Sequence, residues 1–164
     1  MQVRVERLIY RLNGRNALPS EKILHLAING RRISAHVVEN DTYRFRLRRP
    51  TSNVLLCSRH MIPAAWSNSP DQRRLGVAVS HLTMAGDGAT TTLRATSSML
   101  RDGFHPVESG HRWTKGRAVL PQFLFQSFGA EMEVSVHVAG TLPYRADVLS
   151  VTSSIPRSAT SAGA

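Results

Sequence analysis

Cysteine occurs once in the 164 residues, at position 57, so neither an internal disulfide nor a cysteine-based zinc site can form. Its setting, Val54-Leu55-Leu56-Cys57-Ser58, is strand-like and marks it as a buried structural thiol. Lysine is almost as scarce, with only Lys22 and Lys115 among 21 basic residues. Aromatic residues make up 6% of the chain, a thin supply for stacking on nucleic-acid bases. No run approaches the ~18 apolar residues that a membrane helix needs. Met1 to Gly14 is broken by Arg4, Glu6, Arg7 and Arg11 and so lacks the apolar core of a secretory signal, which leads to the cytoplasm as the expected location. G-x-S-x-G, H-E-x-x-H and a glycine-rich phosphate loop are all missing, and no pair of carboxylates is poised for acid–base work. The chain therefore reads as non-catalytic, with no cofactor implied.

The charge that is present is strongly one-sided. Net charge is +10 and the isoelectric point about 11.3, which raises nucleic acid as a partner. Residues 1–49 carry eleven basic against four acidic residues, and the remaining excess is spread thinly. Arginine without lysine, and few aromatics, argue against nucleic-acid binding.

Val5, Leu8, Ile9 and Leu12 recur at i, i+3, i+4 and i+7, so Gln2 to Asn13 is expected to form an amphipathic helix ended by Gly14. Its arginine-lined polar side suits either packing on the domain or an anionic membrane surface. From Glu21 the period changes to two. Leu24, Leu26 and Ile28 lead into Asn29-Gly30, a hairpin signal, and the chain continues extended from Arg31 to Val38. A turn at Asn40-Asp41 opens Thr42 to Arg48, with Tyr43, Phe45 and Leu47 alternating with Arg44, Arg46 and Arg48. Val54 to Arg59 is the expected central strand, followed by a Pro/Ser/Asn-rich loop from His60 to Arg74 that holds Trp66. Leu75 to Met84 is read as one strand with Leu75, Val77 and Val79 on one face. Gly86-Asp87-Gly88 turns into an edge strand over Thr90 to Ala95. After Gln122 to Phe128, a short helical turn, Glu131 to Val138 alternates cleanly, with Met132, Val134, Val136 and Val138 inward. Arg145 to Thr152 is a last possible strand. Strands at such spacing without helices between them predict a mainly β fold. The expected form is an antiparallel, jelly-roll-like β-sandwich with a short N-terminal amphipathic helix. The expected divisions are 1–20 for helix and linker, 21–152 for the sandwich and 153–164 for a disordered tail.

The organising stretch is Asp102 to Pro121, DGFHPVESGHRWTKGRAVLP, expected to be the central loop-and-strand of the sandwich. His105, Glu108 and His111 lie close enough in sequence to ligate a divalent metal, although Pro106 and the Ser109-Gly110 turn break regular ligand spacing. Arg112 and Trp113, being adjacent, face opposite sides of a strand. The structural reading has Trp113 plugging the sandwich and Arg112 bridging to Glu108; the functional reading has Glu108, Arg112 and Trp113 meeting a ligand. Trp66, in its polar loop, is the better placed of the two tryptophans for stacking on a sugar.

The ordered pieces Leu24-His25-Leu26, Asn29-Gly30-Arg31, Tyr43-Arg44-Phe45, Ser58-Arg59, Pro63-Ala64, Asp71 to Val79, Gly103-Phe104-His105, Glu108, Arg112-Trp113-Thr114 and Leu120-Pro121 carry a resemblance. Together they resemble the segment that follows the Hint domain in bacterial hedgehog/intein-like proteins, and also β-sandwich modules attached to bacterial glycosyltransferases. The resemblance spans about Ile23 to Tyr144. The Hint domain itself, with its nucleophile, has no counterpart here, so self-processing is not implied. The family's R-W-T-D-G-D-A stands here as Arg112-Trp113-Thr114-Lys115-Gly116-Arg117-Ala118, with both acidic positions basic. What the resemblance implies is an accessory or recognition module, with polysaccharide or a neighbouring protein domain as partner. Two other classes remain as alternatives: a metal-dependent enzyme using His105, Glu108 and His111, and a membrane or nucleic-acid binder acting through the basic helix.

Overall fold

The structure is a computed structural model that describes residues 24–142. The helix expected over Gln2–Asn13, the strand expected over Arg145–Thr152 and the tail expected beyond it all lie outside the described residues.

The described residues form ten strands: β1 (Leu24–Ile28), β2 (Arg31–Ser34), β3 (Val37–Glu39), β4 (Thr42–Arg48), β5 (Val54–Ser58), β6 (Ala78–Gly86), β7 (Ala89–Arg94), β8 (Arg112–Trp113), β9 (Arg117–Leu120) and β10 (Glu131–Gly140). A four-stranded sheet runs β2-β1-β5-β9. A six-stranded sheet runs β3-β4-β10-β6-β7, and β8 shares with β7 the edge of β6 that β10 leaves open. All pairings are antiparallel.

Local sequence chemistry sets the hairpins. Asn29-Gly30, Asn40-Asp41, Asp87-Gly88 and Ser109-Gly110 all have positive φ at both residues, the type I′ geometry whose twist matches that of paired strands. The first three join β1 to β2, β3 to β4 and β6 to β7, and the fourth closes a small hairpin in which Glu108 pairs with His111.

The two inner faces interdigitate in one core. Leu24, Leu26, Val54, Leu56, Ala118 and Leu120 from the four-stranded sheet meet Tyr43, Phe45, Leu82, Met84, Val134 and Val136 from the other. Phe45 is 0% exposed, and burying such a side chain contributes about 1.5–3 kcal/mol. Along β4 the expected alternation holds, with Tyr43, Phe45 and Leu47 buried and Arg44, Arg46 and Arg48 exposed. β10 also places Met132, Val134, Val136 and Val138 inward, and it lies between β4 and β6, so even its outward Ser135 is 9% exposed. The fold is thus a mainly β, two-sheet antiparallel sandwich.

Three expectations change. The run from Arg31 to Val38 is not one strand, because the chain leaves the four-stranded sheet after Ser34 and enters the six-stranded sheet at Val37. Leu75 to Met84 is likewise interrupted. Leu75 bridges Met61 and sits in a satellite cluster with Ala78 and Trp113, while Val77 and Val79 join the main core. Gly76 makes the break, since a Cβ there would lie 2.5 Å from Ser58 Oγ and closer still to Thr114 Oγ1. Finally, Asp102 to Pro121 is peripheral rather than central. It supplies the two-residue β8 and the edge strand β9, and Trp113, 2% exposed, fills the satellite cluster instead of the space between the sheets.

Candidate functional site

The loop between β5 and β6 is held by its own backbone. Met61 and Leu75 exchange hydrogen bonds of 2.9 Å each, and Ala64 N donates to Asp71 O at 2.8 Å. A 3-10 turn at Pro63–Ala65 lifts Trp66 outward, where it is 48% exposed. Ile62, at 38%, is a second large apolar side chain exposed on this loop.

At the base of the loop Asp71 and Arg73 form an ionic array. The Asp71 carboxylate accepts from Arg73 N at 2.9 Å, from Arg73 Nε at 3.0 Å and from Arg73 Nη2 at 2.8 Å. The remaining terminal nitrogen of Arg73 donates to Glu108 Oε1, tying the loop to the 108–111 hairpin. The two-residue spacing is what permits this, because a carboxylate bonds readily to the backbone N–H two positions on. These hydrogen bonds from Arg73 outweigh burial and hold Asp71 below the ordinary carboxylate range; its carboxylate partners make the Arg73 guanidinium hold its proton more tightly.

The expected site residues are not gathered around one ligand. Arg112 does not bridge to Glu108. Its Nε donates to Ala95 O at 2.5 Å and its Nη1 to Leu100 O, so the guanidinium clamps the segment after β7. Trp113 is buried and turns no ring face outward. His105 Nε2 stands 2.8 Å from Arg74 O, and since a carbonyl only accepts, that nitrogen carries the proton. Glu108 belongs to Arg73, and His111 meets Trp113 edge-on with ring centroids 6.0 Å apart. His105, Glu108 and His111 therefore do not converge, and among the described residues no three His, Cys, Asp or Glu side chains stand together as metal ligands. Of the expected ligand residues, Glu108 is tied through Arg73 and Asp71 to the loop that carries Trp66.

The hairpin also borders a second feature. Gly110 lines an open cleft of about 440 Å³ together with Ser80, His81, Thr92, Arg94 and Thr96. Two open regions, the Trp66 loop and this cleft, thus flank residues 108–111. Sequence reading missed Arg73 as the partner of Glu108, and it missed the His81–Arg94 neighbourhood. The Asp-x-Arg spacing signals the Asp71–Arg73 pair but not its Glu108 partner, 35 residues away; the second depends on strand register across the sheet. A further groove of about 450 Å³ is lined by Arg46, Arg48, Glu131 and Glu133, whose charges cancel. No helix among the described residues is long and apolar enough to cross a membrane.

No family model matches the chain, and no curated protein and no solved structure matches it significantly. The class defined here is that of the fold: an antiparallel two-sheet sandwich with a pinned aromatic loop at one side of a small hairpin.

Proposed function

We propose that this chain is a non-catalytic recognition module that binds polysaccharide on the surface formed by the β5–β6 loop and the 108–111 hairpin. The observation that carries the reading is Trp66, half exposed on a loop whose base is fixed by the Asp71–Arg73–Glu108 array. Sugar recognition uses such a pairing: an aromatic face for the apolar side of a pyranose, and planar carboxylate and guanidinium groups for its hydroxyls. A loop held by backbone bonds costs less entropy to order on binding than a free one. The resemblance to sandwich modules attached to bacterial glycosyltransferases favours the same partner class. A metal-dependent enzyme built on His105, Glu108 and His111 is the poorer reading, because each of those side chains is engaged elsewhere.

The test is calorimetry of the protein against a panel of bacterial polysaccharides, with Trp66→Ala alongside. Binding to a member of the panel that falls roughly ten- to a hundredfold in the variant is expected, as an exposed stacking aromatic is worth about 1–3 kcal/mol. Flat heats across the whole panel would remove the proposal.

A further inference from the structure

Across the outer face of the six-stranded sheet, Thr42, His137, His81 and Arg94 are successive cross-strand partners on β4, β10, β6 and β7. The two imidazoles stack with centroids 3.8 Å apart and planes 12° from parallel. Beside them the register slips, leaving Ser80 unpaired between the His81–His137 and Val79–Val138 pairs. That slip lets Ser80 Oγ donate to His137 O at 3.1 Å while lying 3.0 Å from His81 Nδ1. With its one proton spent on the carbonyl, the serine oxygen accepts from His81 Nδ1–H, so the neutral ring carries its free lone pair on Nε2. On the far side, Thr42 Oγ1 lies 3.0 Å from His137 Nδ1.

Arg94 is exposed and, among the described residues, has no carboxylate within ion-pair distance. The cleft it shares with His81 is lined otherwise by hydroxyls and small residues, with no acidic side chain. The cleft therefore keeps an unbalanced positive charge beside several hydroxyl groups, whereas the Arg46–Glu133 groove balances its own.

We propose that this cleft recognises an oxyanion carried on a sugar, with Arg94 as the fixed charge and Thr92 and Thr96 as hydroxyl donors. The proposal rests on the polysaccharide reading and narrows it to acidic polymers, whose charged group would sit in the cleft while Trp66 meets a sugar ring. The groups facing His81 are His137 on β10 and Arg94 on β7, with Thr42 and Arg44 of β4 beyond His137. Glu133, four residues along β10, is 3.4 Å from His36. Burial, His81 and Arg44 all make His137 hold a proton less readily.

Calorimetry with polygalacturonate, dextran sulfate, unmodified dextran, single-stranded DNA and inorganic phosphate tests this. Expected is tighter binding of one or both acidic polysaccharides than of unmodified dextran. Polygalacturonate and dextran sulfate separate carboxylate from sulfate. Arg94→Gln should weaken that binding roughly ten- to a hundredfold. Equal binding of dextran and both acidic polymers would overturn the cleft and leave the polysaccharide reading intact. DNA and phosphate binding through Arg94 as tightly as the acidic sugars would overturn the sugar specificity instead.

Discussion

Gly103 offers a sharp test of how the hairpin-bearing segment is seated. Its φ is +81°, a left-handed conformation, and it lies directly on β9. Asp102 O accepts from Val119 N at 2.8 Å, and Gly103 O accepts from Lys115 N at 2.7 Å. A Cβ at this position would fall 2.5 Å from Ala118 Cα and nearer still to the Arg117 carbonyl oxygen, both of them backbone atoms that cannot rotate aside. Gly103→Ala should therefore carry two costs. Left-handed backbone for an L-residue costs about 1–2 kcal/mol, and forcing the segment off β9 costs about 1–3 kcal/mol. The sum, about 2–5 kcal/mol, is a large part of the ~5–15 kcal/mol that holds a domain folded. Gly88, at φ +75° with nothing within 4 Å of a built Cβ, isolates the first cost. Urea unfolding of the wild type, Gly103→Ala and Gly88→Ala should give equal m-values, with Gly103→Ala the less stable variant by about 1–3 kcal/mol. Equal losses in the two variants would refute the close seating of the segment on β9.

Two further outcomes follow from the ionisable groups. Asp71 is held below the ordinary carboxylate value by Arg73, so its contribution is complete above about pH 4 and is lost as pH falls through the depressed value. The gap in urea midpoint between wild type and Asp71→Asn should therefore be present at neutral pH and close in acid. It should be small, because Arg73 is 37% exposed and solvent screens the pair, and a gap that persists unchanged into acid contradicts the ion-pair assignment. Burial pushes the half-buried Cys57 thiol up, against the smaller opposing pull of Arg117 and Arg32. Its reaction with a disulfide reagent at neutral pH should be slower than that of free cysteine and should accelerate in urea; a rate equal to that of the free thiol would show an open site.

What the sequence made legible follows periodicity and turn chemistry. β4 was readable because Tyr43, Phe45 and Leu47 alternate with arginines, and the hairpins because Asn-Gly, Asn-Asp and Asp-Gly tolerate positive φ. The sheet change between Ser34 and Val37 was hidden, since both flanking pieces are extended and locally alike. The break at Gly76 was hidden too, for its cause is the buried Thr114 on a distant segment, 0% exposed and 3.1 Å from Val77 N. In the site, an exposed Trp66 was legible from its polar loop. The role of Arg112 was not: nearness to Glu108 in sequence suggested an ion pair, whereas the fold delivers carbonyls of Ala95 and Leu100 to it and gives Glu108 to Arg73. The stacked His81–His137 pair arises from register between β6 and β10, which no single stretch of sequence encodes.

The most direct examination of the recognition surface is a backbone amide chemical-shift titration with an acidic polysaccharide such as polygalacturonate. The expected shifts fall on residues around Trp66, on the hairpin at Glu108 to His111 and on the cleft at His81 and Arg94, while the outer face of the four-stranded sheet stays still. Shifts confined to that four-stranded face, or none at all with any acidic or neutral polymer, would contradict the account.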